Sequence, residues 1–201
     1  SVTINYQTDG TGTSGLGQAS AGSQTIALTG KVYTPAVAVL NTQVIDFGVV
    51  RVGQVVADRN VTVTNAAVAT ALNDTMSASI ASGGSPFTAT GSTNGIGAGA
   101  SNAAGTLKVG LNTSAAGAYT AGSAMVSFKS QNADMADQDL GGQSVTLKAT
   151  VNYFAKPLFT LLSGYGLSGG GNSFTLDLGN LLAGSGPTHL QLGLANAAQG
   201  G

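Results

Sequence analysis

With eight acidic side chains, all of them Asp, one histidine and no cysteine, this sequence has few groups that could do chemistry. Its densest run of oxygen ligands is Asn132-Ala133-Asp134-Met135-Ala136-Asp137-Gln138-Asp139. Three Asp with intervening carbonyls match the all-oxygen shell that calcium takes, but the glycine and closing Glu of an EF-hand loop are missing. The run therefore reads as a solvated hairpin tip, and the similar stretch Asp9-Gly10-Thr11-Gly12-Thr13-Ser14 carries a single acid. His189 has no second His or Cys with which to hold zinc. No Ser lies in a nucleophile elbow that could place His189 in a triad.

Gly164-Tyr165-Gly166-Leu167-Ser168-Gly169 has the spacing that cradles a pyrophosphate, a job that needs a strand before it and a helix after it. The next residues, Gly170-Gly171-Asn172 and Ser173-Phe174-Thr175-Leu176, read as a turn and a strand. Asp46-Phe47-Gly48 spells the magnesium-binding triplet of protein kinases without the lysine strand, catalytic loop or glycine-rich loop that must accompany it. No catalytic, cofactor-binding or metal-ligating residue is assigned, and a non-enzymatic protein is expected. Sequons at Asn60, Asn73 and Asn112 are ordinary in a chain so rich in Asn and Thr.

The elements that carry these residues recur. Ile45-Asp46-Phe47-Gly48 through Gly53 returns as Leu176-Asp177-Leu178-Gly179 through Gly184, offset by 131 (46 to 177), and the match runs on from Asn65-Ala66-Ala67 to Asn196-Ala197-Ala198. Val2-Thr3-Ile4 matches Val126-Ser127-Phe128 at an offset of 124 (2 to 126), and Gln24-Thr25-Ile26-Ala27-Leu28 matches Gln143-Ser144-Val145-Thr146-Leu147 at 119 (24 to 143). A period of roughly 120–130 residues is that of a small domain, not of a solenoid turn. The expected organisation is residues 1–37 as the last strands of one repeat, 38–157 as a complete repeat and 158–201 as the first strands of another. Because Ser1 opens directly into a strand pattern, the sequence is expected to be a piece of a longer protein.

Composition agrees with an all-β class. Only 7% of residues are charged, 31 are Gly, and Thr, Val, Ser and Asn are abundant while the helix formers Glu, Lys and Arg are scarce. A net charge of −1 gives no footprint for nucleic acid or an anionic membrane, and no apolar run is long enough to span a bilayer. Alternation of apolar and polar residues predicts strands near 44–47, 54–64, 75–81, 86–91, 104–111, 119–130 and 143–154. Residues 66–81, rich in Ala, could hold one helical turn. The least strand-like parts, 82–100 and 131–142, are expected to be sandwich-end loops. Tyr153, Phe154 and Phe159 are expected to pack at a junction beside Lys156-Pro157.

Asp46-Phe47-Gly48-Val49-Val50-Arg51-Val52-Gly53, with Val61-Thr62-Val63-Thr64-Asn65 after it, resembles the opening of Hydin-like immunoglobulin-type repeats, and more closely those of bacterial choice-of-anchor D proteins. Gly117 with Tyr119-Thr120-Ala121-Gly122-Ser123-Ala124 fits the later part of such a repeat. The resemblance implies tandem immunoglobulin-like antiparallel β-sandwiches, secreted or attached to a bacterial cell surface. On that basis the expected function is structural: a fibre, sheath or stalk that associates with identical chains, by strand complementation in its sharpest form. An adhesin that binds glycan or a cell-surface protein through its end loops is the alternative.

Overall fold

The computed structural model describes residues 1–161 and 166–198, and every regular element in them is a strand. In order these are β1 (Val2–Gly10), β2 (Leu16–Ile26), β3 (Ala38–Leu40), β4 (Val44–Arg51), β5 (Arg59–Asn60), β6 (Val63–Asn65), β7 (Thr75–Ser82) and β8 (Phe87–Ile96). The remaining strands are β9 (Leu107–Leu111), β10 (Gly117–Gln131), β11 (Gln138–Asn152), β12 (Pro157–Leu161), β13 (Gly166–Gly170), β14 (Ser173–Asp177) and β15 (Leu192–Asn196). The chain divides into two compact units, Ser1–Thr34 and Pro35–Gly201.

The larger unit is built on a mostly antiparallel sheet ordered β4-β11-β10-β7-β8-β9-β5. β8 is long enough to serve two neighbours: Phe87–Gly91 pair with β9, while Ser92, Thr93 and Ile96 pair with β7. The first strand of the unit also changes partner. Ala38–Leu40 run antiparallel to β6, and from Gln43 onward the chain lies parallel to β11. Because β6 continues the line of β5, this switch brings the two ends of the sheet together and nearly closes it as a barrel. Alternation explains the core: Met76, Ala78 and Ile80 on β7, Ala124, Val126 and Phe128 on β10, and Val145, Leu147, Ala149 and Val151 on β11 are all buried.

One open alternative is decided here and two expectations change. The Ala-rich stretch forms no helical turn; it is a loop leading into β7, where the period-2 burial of Met76, Ala78 and Ile80 outweighs the helix preference of its alanines. In the stretch 82–100, expected as a loop around a strand near 86–91, the strand is the ten-residue β8, Phe87–Ile96. The predicted 54–64 strand is shortened to β5 and β6, with Gln54–Asp58 irregular.

The smaller unit is the β1–β2 hairpin. Val2 pairs with Ile26, Ile4 with Gln24 and Tyr6 with Gly22, then a bulge shifts the register so that Gln7 meets Ser20. β10 and β11 carry the same irregularity, with Phe128 opposite Gly141 and Lys129 opposite Asp139. Gly22 and Gly141, offset by 119, both take positive φ (101° and 80°), a conformation in which an L side chain would be strained. Gly141 N–H donates to Asp139 Oδ1 (2.8 Å) as Gly22 N–H does to Ser20 Oγ (3.4 Å). The bulge thus places Tyr6 at the position of Phe128, an offset of 122 and not the 124 expected from the sequence match. A slip of two residues leaves the inward face unchanged, which is why alternation alone did not expose it.

Residues 157–198 repeat local details of residues 38–65. Pro157 pairs with Asn196 and Phe159 with Leu194, as Ala38 pairs with Asn65 and Leu40 with Val63. Ala197 N–H donates to the Lys156 carbonyl and Ala66 N–H to the Val37 carbonyl, both at 2.7 Å. Between them sits the β13–β14 hairpin, turning at Gly171-Asn172.

Candidate functional site

Most of the motifs with chemical spelling serve the backbone. Asp46 Oδ1 accepts the Gly48 N–H at 2.7 Å, and Asp177 Oδ1 accepts the Gly179 N–H at 2.8 Å. Gly48 and Gly179 have φ of 72° and 64°, so the Asp-x-Gly triplet is a side-chain-closed turn that needs glycine in third place. Phe47 is buried and stacks on Phe87, their ring centroids 6.1 Å apart. His189 is exposed and outside any strand. Gly164 and Tyr165 lie outside the described residues, as do Gln199, Gly200 and Gly201. Gly166–Gly170 form β13 and lead through a turn into β14, not into a helix.

The acids of the 132–139 stretch point to separate tasks. Asp137 Oδ2 accepts from Gln131 Nε2 (2.8 Å) and lies 3.9 Å from Lys129 Nζ, while Asp139 closes the bulge at Gly141. Asn132 Nδ2 donates to Asp74 Oδ1 (2.8 Å), and its own Oδ1 accepts the Asp134 N–H (3.0 Å). Among the described residues no three His, Cys, Asp or Glu come together as a metal group would require. In the β1–β2 turn, Asp9 accepts from Thr11 Oγ1 (2.6 Å), Thr11 N–H (3.0 Å) and Gln18 Nε2 (3.1 Å). The Thr11 hydroxyl foremost, with the Gln18 amide and Thr11 N–H, holds its carboxyl down to about 2.

Sequence reasoning missed a buried polar network. Ser130 Oγ donates to Asp74 Oδ2 at 2.6 Å and accepts the Ala36 N–H at 2.8 Å. Asn65 is wholly buried: its Oδ1 accepts from Val37 and Ala67 N–H, and its Nδ2 donates to the Asp74 and Ile96 carbonyls. A Ser beside an Asp superficially suggests catalysis. Here the hydroxyl is spent on the carboxylate with no histidine to take its proton, so the network fixes the 65–74 loop against β10. Only the repetition of Asn65 as Asn196 signalled that position, and nothing in the sequence pointed to Asp74.

Two surfaces remain as places where function could lie. An open groove of about 590 Å³ runs across the outer face of β8, β7, β10 and β11, lined by polar side chains including Ser77, Ser79, Asn94, Lys129, Gln131 and Asp137. It has hydrogen-bonding groups and no exposed aromatic platform. The other kind of surface is apolar, and each unit has its own on its flanking strands. Leu194 is 71% exposed where its counterpart Val63 is 0% exposed. Ile4 and Tyr6, placed as Val126 and Phe128 are, are exposed as well. Phe159 packs on Phe174 in an edge-to-face pair at 5.1 Å, while Arg51 lies 5.4 Å above the Phe154 ring, so these aromatics contribute to separate contacts and not to one junction cluster.

No protein-family model matches the chain, and no curated protein matches it. The described residues present strand edges and exposed apolar side chains, and the buried Ser130–Asp74 pair has no histidine beside it. Among the described residues no helix is long and apolar enough to cross a membrane.

Proposed function

We propose that the chain is a non-enzymatic structural module of an extracellular or cell-surface fibre, sheath or stalk, built from tandem immunoglobulin-like repeats and associating with identical chains. The observation that carries this reading is what recurs. Asp46-Gly48 and Asp177-Gly179 repeat one turn, Asn65 and Asn196 repeat one strand closure, and Gly141 and Gly22 repeat one bulge. Each is a scaffold device, and no group capable of chemistry is repeated with them. The parallel β4–β11 pair and the partner switch between β3 and β4 support an immunoglobulin-like repeat within residues 38–157. Exposed apolar faces on both flanking strand sets favour self-association, because contiguous patches of this kind mark interaction surfaces. Sedimentation velocity and negative-stain electron microscopy over a wide concentration range test it. Concentration-dependent association into regular filaments is expected, and a strictly monomeric protein would overturn it.

The polar groove favours a second reading, a binding module for a glycan or a cell-surface protein. Its wall joins Ser92–Asn94 of β8 to Asp137–Gly142 around β11, so rigid strands hold the hydrogen-bonding groups. On a glycan array, binding that disappears with Lys129→Ala and Asp137→Ala would support this reading over the structural one.

A further inference from the structure

The larger unit contains a template for how the flanking strands meet. In it β11 lies parallel to β4, with Leu147 beside Ile45 and Val151 beside Val50, all four side chains buried. The Gln143 carboxamide ties β11 to β3 as well: Oε1 accepts the Leu40 N–H and Nε2 donates to the Ala38 carbonyl, both at 3.1 Å. The counterparts of β11 residues lie 119 positions earlier, as the shared bulge at Gly22 and Gly141 fixes, and those of β4 lie 131 later, as the shared turn at Asp46 and Asp177 fixes. Leu28 then corresponds to Leu147, Val32 to Val151, Leu176 to Ile45 and Leu181 to Val50.

We infer that residues 27–33 of one copy add as a parallel strand along residues 174–182 of a second copy, Leu28 beside Leu176 and Val32 beside Leu181. This rests on the self-associating structural reading above and gives it a register. Three observations carry it. First, residues 27–33 continue β2 yet lie outside any strand, and Leu28 and Val32 are 66% and 88% exposed where their counterparts in β11 are 0% exposed. Leu181, the counterpart of buried Val50, is 53% exposed.

Second, the correct edge of β14 is presented. The two-residue turn at Gly171-Asn172 makes Gly170 and Ser173 a hydrogen-bonded pair, so Ser173, Thr175 and Asp177 turn their backbone groups toward β13. Phe174 and Leu176 turn theirs to the other edge. In the larger unit the Gln43 carbonyl, counterpart of that of Phe174, accepts the Thr146 N–H from β11 at 2.9 Å. The β13–β14 hairpin thus covers one edge of β14 and leaves the edge that β11 uses in the template. Third, Gln24 and Phe159 stand where Gln143 and Leu40 stand: Gln24 Oε1 accepts the Tyr6 hydroxyl (2.8 Å) in the hairpin, and in the joint it would accept the Phe159 N–H while Nε2 donates to the Pro157 carbonyl, as Gln143 does with Leu40 and Ala38. The joint rebuilds the β3–β4–β11 side of the barrel by strand addition, which concentration drives.

The absence of cysteine makes the test clean. Full-length Val32→Cys is mixed with full-length Leu181→Cys under mild oxidation, beside the mismatched pair Thr29→Cys and Leu176→Cys. In the proposed strand the mismatched side chains leave from opposite faces and cannot satisfy disulfide geometry. A mixed disulfide that forms at least about tenfold faster for the matched pair is expected. Equal rates, or no mixed disulfide while the unmodified chain still assembles by light scattering, overturn the register and leave the self-associating reading standing. No disulfide and no assembly at any concentration overturn both. A double variant, Val32→Cys with Leu181→Cys, that closes a disulfide within one chain at monomer mass overturns the two-copy arrangement. Circular dichroism of each variant confirms that the strands are retained.

Discussion

β10–β11 and β1–β2 are two hairpins with the same bulge, the same glycine conformation and the same alternation, yet they have opposite relations to solvent. Phe128 is 1% exposed in the first, and Tyr6, at the matching position of the second, is 42% exposed. The contrast teaches that local sequence here determines the shape of a hairpin while burial depends on what lies against it. β10 has β7 on its other edge and β11 has β4, whereas the β1–β2 sheet has two strands. A two-stranded hairpin is only marginally stable by itself in water, so its apolar face is the place where assembly would have the greatest effect.

The largest expected difference comes from that contrast. Phe128→Ala should destabilise the larger unit by about 4 kcal/mol through lost transfer energy and a residual cavity. Tyr6→Ala should cost under about 1 kcal/mol in dilute solution, in the range of surface changes. Urea denaturation gives both values. If the Tyr6→Ala cost grows with protein concentration, the face is covered by another copy; if it equals the Phe128→Ala cost even at high dilution, the two hairpins are not in different environments and the comparison fails.

A second pair is Asn65 and Asn196. Each closes a strand by accepting two backbone N–H groups, but Asn65 is also buried and donates to the Asp74 and Ile96 carbonyls. Asn65→Ala leaves buried donors and acceptors without partners and should cost about 3 kcal/mol, while Asn196→Ala should cost about 0.5 kcal/mol. Amide hydrogen exchange sharpens the point: protection of Val37 and Ala67 should collapse in the first variant, and a smaller loss at Lys156 and Ala198 should mark the second.

The legibility of the fold obeys the same division. β7, β10 and β11 were readable because their buried residues alternate over five to seven positions. The turn at Asp46-Phe47-Gly48 was readable because it occurs twice. The change of partner between β3 and β4 was not, since a strand that pairs on both sides in turn has no periodicity that differs from an ordinary one. β8 was read short because Gly91, Ser92, Asn94 and Gly95 interrupt its pattern, although β7 and β9 supply its pairing. Nothing in the sequence singled out Asp74, beside the Asn73 sequon, because only the tertiary approach of Ser130 and Asn132 makes it a buried hub. The polar groove was invisible for a related reason. Ser77, Ser79 and Ser127 read as the ordinary outward face of strands, and a concavity depends on how those strands twist together.

A finer comparison lies in the two Asp-x-Gly turns. Asp46→Ala and Asp177→Ala each remove one side-chain hydrogen bond to a glycine N–H, and both should cost about 0.5–1 kcal/mol locally. Near-equal shifts of the Gly48 and Gly179 amide resonances on substitution would agree. An effect at one turn only would mean that the echo is confined to sequence.

The smallest effect separates the two hairpin tips. Asp9 in the β1–β2 turn is held at about 2 by bonds that its charged form accepts from Thr11 and Gln18. A carboxyl whose folded value is depressed contributes stability that is present above its ordinary value, near 3.8, and that is lost as pH falls through about 2. Acid should therefore loosen the β1–β2 tip between about pH 4 and 2, a change confined to the smaller unit. Carbon-detected titration of the Asp side chains reads this directly, with the Asp9 midpoint near 2 in the full chain. Thr11→Val removes the hydroxyl that contributes most and should move that midpoint upward, with the Gln18 amide keeping it below the ordinary value. A midpoint already near 3.8 before the substitution would mean that the turn is open in solution. The hairpin's match to β10–β11 would then rest on its bulge and alternation alone.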